Sequence, residues 1–196
     1  MAAVFGHIVK KKLMEYSDEK PVRTFLALPI PARIASSIQP AHANFAHVTE
    51  KMVPVENWHV TIAWLGETPN PRQYVSRIRK PVPQPFTPAI RLIYLGRGRK
   101  RNQLWVYVEK NQVLENIRTE MIKRLKKVRF PIPEETLKNE FVPHIHVGDF
   151  YPSAGGVGLA DVPLTTNFSA QEVVWYQSQR TLEGTHYEPI CQIPLV

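Results

Sequence analysis

Two short stretches of this 196-residue chain carry side chains able to move protons at neutral pH: Trp58-His59-Val60-Thr61-Ile62-Ala63-Trp64-Leu65-Gly66 and Val142-Pro143-His144-Ile145-His146-Val147-Gly148. Both read as strands, with β-branched residues set between polar ones. Residues i and i+2 of a strand point the same way. His59 therefore shares a face with Thr61, and His144 with His146, while Val60, Ile62 and Trp64 on one strand and Ile145 and Val147 on the other turn toward a core. Histidine is the side chain whose ordinary pKa lies nearest neutrality, so two of them can serve as general acid and general base with little tuning. A single His-x-Thr is an ordinary feature of a half-exposed strand. Its recurrence points to a site: an apolar strand, a histidine, one residue, a second hydrogen-bonding side chain, then a glycine. His-x-His also admits another chemistry. His144 and His146 on one face, joined by His59, form a three-histidine set suited to zinc with an open water position.

The elements that must position these residues follow from the same periodicities. Val22 to Pro29 is an apolar strand. Pro31 to about Met52 is helical territory, with Ile34, Ile38, Phe45 and Val48 at loose helical spacing and Pro40 as a break or kink. His42 and His47 on that segment are read as solvated or capping residues. Asn70 to Lys80 is a short helix with Pro71 at its first position, and the proline-rich stretch Pro81 to Pro88 is an extended connector. Ile90 to Gly96 and Gln103 to Val108 form a hairpin around a polar, glycine-containing tip. Asn111 to Lys127 is the strongest helix, with Val113, Leu114, Ile117, Met121, Ile122 and Leu125 on one side and cations crowding its last turns. A loop with Pro131 and Pro133 leads into the second histidine strand. Ser153 to Gly158 lacks the Lys-Ser/Thr ending of a phosphate loop and is a connector. Glu172 to Arg180 and Tyr187 to Val196 are closing strands. Such an order suits an α+β fold with antiparallel sheets better than a doubly wound parallel sheet.

Composition sets the outer bounds. The length suits one domain or two intimately packed lobes. Residues 1–20, with Lys10-Lys11-Lys12 and little periodicity, are read as an N-terminal arm, and 21–196 as the domain. A formal charge of +8 suggests a polyanionic partner. The tip residues Arg97, Arg99, Lys100 and Arg101, and the helix end Lys123 to Arg129, are candidate contacts to the backbone of such a polyanion, although exposed tips and helix ends are often basic for solubility alone. The single cysteine, Cys191, excludes an intramolecular disulfide and is read as a buried thiol. No run is apolar enough for a membrane span and no signal peptide is evident, so a cytoplasmic enzyme is expected. Trp58, Trp64, Trp105 and Trp175 are read as core residues.

With these residues in view, the chain resembles the two-histidine phosphoesterases, specifically the LigT-like RNA 2′,3′-cyclic phosphodiesterases once named 2′-5′ RNA ligases. The resemblance runs from about Val22 to the C-terminus. It is carried by Arg23-Thr24-Phe25-Leu26-Ala27-Leu28-Pro29, by Glu56 to Glu67, by Phe141-Val142-Pro143-His144, and by Gly184-Thr185-His186-Tyr187. It implies a bilobal, pseudo-symmetric α+β fold with one motif per lobe facing a central cleft. It further implies metal-free hydrolysis of a terminal 2′,3′-cyclic phosphate to a 2′-phosphate, on RNA or a nucleotide, without cofactor. By that analogy His59 is the acid and His144 the base, though the sequence does not set the order. Thr61, His146 and Tyr187 contact the substrate, and a monomer is expected. Two positions depart from the family pattern: His146 stands where Thr or Ser is usual, and Asp149 where many relatives carry a basic residue. The same residues could serve another phosphodiester, such as a cyclic oligonucleotide or a small cyclic phosphate, or a catalytically weak RNA-binding module.

Overall fold

The computed structural model describes residues 20–84, 89–99, 102–156, 160–182 and 184–196. Two antiparallel sheets carry the fold. The first has the order β10-β9-β1-β3, from β1 (Val22–Pro29), β3 (His59–Thr68), β9 (Glu172–Thr181) and β10 (Gly184–Pro194). The second has the order β2-β6-β5-β4-β7, from β2 (Thr49–Met52), β4 (Ala89–Arg97), β5 (Gln103–Val108), β6 (His144–Phe150) and β7 (Val162–Pro163), with β8 (Asn167–Ser169) paired to β4. The helices are α1 (Ala32–Ala43), α2 (Arg72–Ile78), α3 (Gln112–Lys127) and α4 (Glu134–Lys138). The α+β reading with antiparallel sheets stands. None of the described helices is long and apolar enough to cross a membrane.

Alternation builds both histidine strands. Val60, Ile62, Ile145 and Val147 are fully buried, while His59, Thr61, His144 and His146 are half-buried on the opposite face. The interior they join includes Leu26 and Leu28 of β1, Leu104 and Val106 of β5, and Trp175 of β9. α3 contributes Leu114, Ile117, Met121 and Leu125, one stripe at helical spacing. Each such side chain stabilises the fold by roughly 1.5–3 kcal/mol relative to exposure. The side-chain oxygen of Asn111 caps this helix by accepting from the Leu114 N–H at 3.0 Å.

Several expectations need correction. α1 ends at Ala43, three residues beyond Pro40, instead of running toward Met52. Proline cannot donate to the preceding turn. Phe45 and Val48 are buried through a short 3₁₀ turn, after which Thr49–Met52 is extended and pairs with β6. The loop after Pro133 contains α4, and β7 and β8 add two short strands to the second lobe. β10 begins at Gly184, ahead of Tyr187. His42 is not solvated at both nitrogens: its Nε2 is buried without a hydrogen-bond partner among the described residues, and burial lowers its pKa.

Trp64 is also misplaced by simple alternation. β3 pairs Thr61 with Ala27 and Ala63 with Leu26, which leaves Ile62 as an extra residue opposite β1. An extra residue shifts the side-chain alternation that follows it, so Ile62 and Leu65 are buried whereas Trp64 turns to the cleft. The glycines ending the two strands have different reasons. Gly66 has φ +67°, a left-handed conformation that favours glycine. A Cβ on Gly148 would lie 2.9 Å from the Lys51 carbonyl oxygen of β2, so the small residue lets the two strands approach.

Candidate active site

β3 is an edge strand of its sheet, and the carbonyls on its outer side need partners from elsewhere. Arg118 of α3 donates to the carbonyls of Ile62 and Thr136, and the Thr136 hydroxyl donates to the carbonyl of Trp64. The Arg118 guanidinium also lies 4.9 Å from the Phe141 ring centre. The strand that carries His59 and Thr61 is thereby fixed from the helix side. It meets β6 across the seam between the two sheets.

The cleft at this seam has a volume of about 680 Å³. His59, Thr61, His144, His146 and Tyr187 all line it, so residues from both sequence motifs and the closing strand converge. The two leading histidines are held alike. His59 Nδ1 lies 2.7 Å from the Asn57 carbonyl oxygen and His144 Nδ1 lies 2.8 Å from that of Val142. A carbonyl only accepts, so each Nδ1 carries a proton and each Nε2 is the atom left for proton transfer.

Their surroundings differ. His59 is packed against Phe25 at 4.7 Å and Tyr187 at 5.2 Å between ring centres, with Tyr176 at 6.4 Å. Burial among these rings lowers its pKa from 6.5 to about 4; the bond to Asn57 opposes the shift, and the nearby imidazoles of His144 and His146 add to it. His144 instead stacks on Trp105, with ring centres 3.5 Å apart and planes 15° from parallel. An indole face attracts a cation laid over it. Burial raises the Tyr187 pKa, so its phenol stays protonated and able to donate.

His146 faces differently. Its Nε2 lies 2.9 Å from the Gly148 carbonyl oxygen and 3.0 Å from Asp149 Oδ1. His146 and Asp149 are thus bonded to each other. In the neutral ring the Nε2–H points at these acceptors, so Nδ1 presents a lone pair. Among the described residues no group of three His, Cys, Asp or Glu side chains could hold a metal ion, so the three imidazoles are not assembled as a ligand set.

Of the basic hairpin tip, the described Arg97 and Arg99 are engaged in contacts of their own. Arg97 donates to the Ala154 carbonyl at 2.8 Å and lies over the Phe150 ring at 4.6 Å. Arg99 pairs with Glu140 at 2.8 Å on the cleft rim and holds that carboxyl below its ordinary range. Lys100 and Arg101 lie outside the described residues, as does nearly all of the N-terminal arm. Cys191 is half-buried with its pKa raised to about 11 by burial, in keeping with a quiet thiol.

The sequence reading missed several cleft residues. Trp64 lines the cleft instead of the core, Trp105 is buried as expected and also forms part of the cleft wall, and Trp58 and Trp175 are core. Trp105 pairs in register with His146, a relation created by β5–β6 pairing and invisible in either strand alone. Arg23, Arg118 and Arg180 also line the cleft. Arg23 is paired with Glu67 at 3.2 Å, while Arg180 is exposed on β9. Of these three arginines, only Arg23 falls in a stretch that carries the family resemblance.

This arrangement of two antiparallel sheets is similar to that of solved LigT and phosphoesterase structures. The structure of Escherichia coli LigT complexed with 3′-AMP superposes with a TM-score of 0.70 over 91% of this chain and 99% of that one, at 19% identity. A crystal structure described as a phosphoesterase gives 0.73 over 90% and 99%, at 21% identity. The TT0787 protein of Thermus thermophilus gives 0.68 over 88% and 97%, at 19% identity. No protein-family model matches the chain, and no curated protein does.

Proposed function

We propose that the chain is a two-histidine phosphodiesterase that hydrolyses a terminal 2′,3′-cyclic phosphate on RNA or a nucleotide, leaving a 2′-phosphate. The observation that carries this reading is the matched pair of imidazoles, each with Nδ1 bonded to a carbonyl two residues earlier and both lining one cleft. LigT has been crystallised with 3′-AMP and with phosphate, which agrees with a nucleotide-sized anion in a cleft of this fold.

A water molecule attacks phosphorus in line with the bond to O3′. One Nε2 takes the water proton, the P–O3′ bond breaks, and the other Nε2 protonates the departing oxygen. Burial favours His59 as the base, reversing the order implied by analogy. A histidine whose pKa is lowered by burial rests neutral and is suited to taking the water proton. His144, stacked on Trp105, supplies the proton. Thr61 and the Tyr187 hydroxyl donate to non-bridging oxygens, where charge grows in the transition state. His146, held through Nε2 by the Gly148 carbonyl and Asp149, lines the same cleft as a substrate contact.

A diester with a p-nitrophenolate leaving group tests the assignment, because that anion departs without an acid. His144→Ala should lose about 10²–10⁴-fold on a cyclic phosphate but recover most of its rate on the activated diester. His59→Ala should be impaired on both. Recovery by His59→Ala alone would restore the opposite order, and near wild-type turnover of the cyclic phosphate by both variants would end the two-histidine reading.

A further inference from the structure

We infer that a groove between α2 and the C-terminal turns of α3 is a second RNA site, which holds backbone phosphates of a strand whose end is processed in the cleft. This inference rests on the RNA-end reading above. The groove has a volume of about 720 Å³, and its charged lining is Arg77, Lys80, Lys123, Arg124, Lys127 and Glu120. Five cations face one carboxylate, a local excess of four in a chain whose formal charge is +8.

Helix ends attract cations, so the ordinary explanation must be tested first. Arg124 meets most of that demand. Only 14% exposed, it bonds to Glu120 at 2.8 Å, to the carbonyls of Ile78 at 3.1 Å and Pro81 at 2.9 Å, and to that of Lys80. It caps the end of α2 and engages the groove's one carboxylate. Lys123 lies 3.9 Å from the same carboxylate's other oxygen. Among the described residues Arg77, Lys80 and Lys127 form no salt bridge, although cations crowded into a concavity repel one another. A ligand with regularly spaced negative charges supplies the missing partner, and α3 links the two sites. Arg118 on this helix lines the cleft, and Lys127 follows it by roughly 13 Å of helix axis at the α-helical rise.

The test uses the full chain with Arg77, Lys80, Lys123 and Lys127 changed together to glutamine, leaving Arg124 intact. Binding of a single-stranded RNA dodecamer ending in a 2′,3′-cyclic phosphate is measured by anisotropy across a salt series. The variant should bind at least tenfold more weakly at low salt, and its slope of log K against log salt should be shallower by roughly two to three. Its hydrolysis of a nucleoside 2′,3′-cyclic phosphate should match the wild type. Equal affinity and slope in the two proteins would overturn the groove site. Wild-type binding of tripolyphosphate as tight as that of the RNA would replace the RNA with a small polyanion. Should the wild type hydrolyse neither substrate, the enzymatic reading fails while the binding comparison still decides the groove.

Discussion

The unfolded chain takes up a proton at His59 below about pH 6.5, which the folded chain refuses until about pH 4. The unfolded state therefore binds more protons between those values, and stability rises with pH across that window. Its contribution is full above 6.5 and is lost as pH falls toward 4, up to roughly 3 kcal/mol before discounting for the water the cleft admits. Urea melts of His59→Gln should show a flatter dependence between pH 7.5 and 4.5 than the wild type; parallel curves would mean that His59 is not held neutral by the fold. If His59 is the base, the same shift should move the acid limb of kcat/KM below the neutral range, which a pH–rate profile on a nucleoside 2′,3′-cyclic phosphate checks. His146 poses a separate question. If it binds phosphate while held by Asp149, His146→Thr restores a hydroxyl on the same face and should retain activity within about tenfold, and Asp149→Asn should raise KM more than it lowers kcat. A chelator should change neither the wild type nor His146→Thr. Chelator-sensitive wild type together with an inactive His146→Thr would bring back the three-histidine metal site.

At the scale of elements, legibility followed locality. The two histidine strands, the hairpin and α3 could be read because each announces itself by its own period and caps. β2 could not, since its four residues, Thr49–Met52, are half-buried or exposed and acquire strand character only by pairing with β6. The position of Trp64 was lost for a related reason: the extra residue at Ile62 exists only relative to β1. Least visible were the clamps on the edge of β3. Nothing around Arg118 says that its guanidinium will meet carbonyls 56 and 18 residues away. Removing the clamp should therefore have more than a surface effect. Arg118→Met leaves two largely buried carbonyls short of a donor, at about 1–3 kcal/mol each, and frees the strand that carries His59. A lowered Tm together with a fall in kcat, with the groove's RNA affinity preserved, is the expected pattern. An unchanged kcat would show that β3 is held without Arg118.

For the whole molecule, the division of labour between lobes is the property that a ligand can read out. Phe25, His59, Thr61 and Tyr187 come from one sheet, and Trp105, His144 and His146 from the other. That both histidine motifs bear on one site was legible from their matching pattern. The aromatic walls were not, because each arises from register between strands. A nucleoside 2′-phosphate bound at the seam should stabilise both sheets together, by about 2.7 kcal/mol at one hundred times its Kd. For a chain of 196 residues that corresponds to a Tm rise of roughly 5–10 °C. Amide exchange should slow on β3, on β6 and on the β9–β10 pair in the same experiment, since Tyr187 and Arg180 form part of the wall. His59→Ala and His144→Ala, impaired in chemistry, should still show protection on both sides if Thr61, Tyr187 and Arg180 retain the phosphate. Protection limited to one sheet would place the ligand on a single lobe and remove the basis for pairing the two histidines in one reaction.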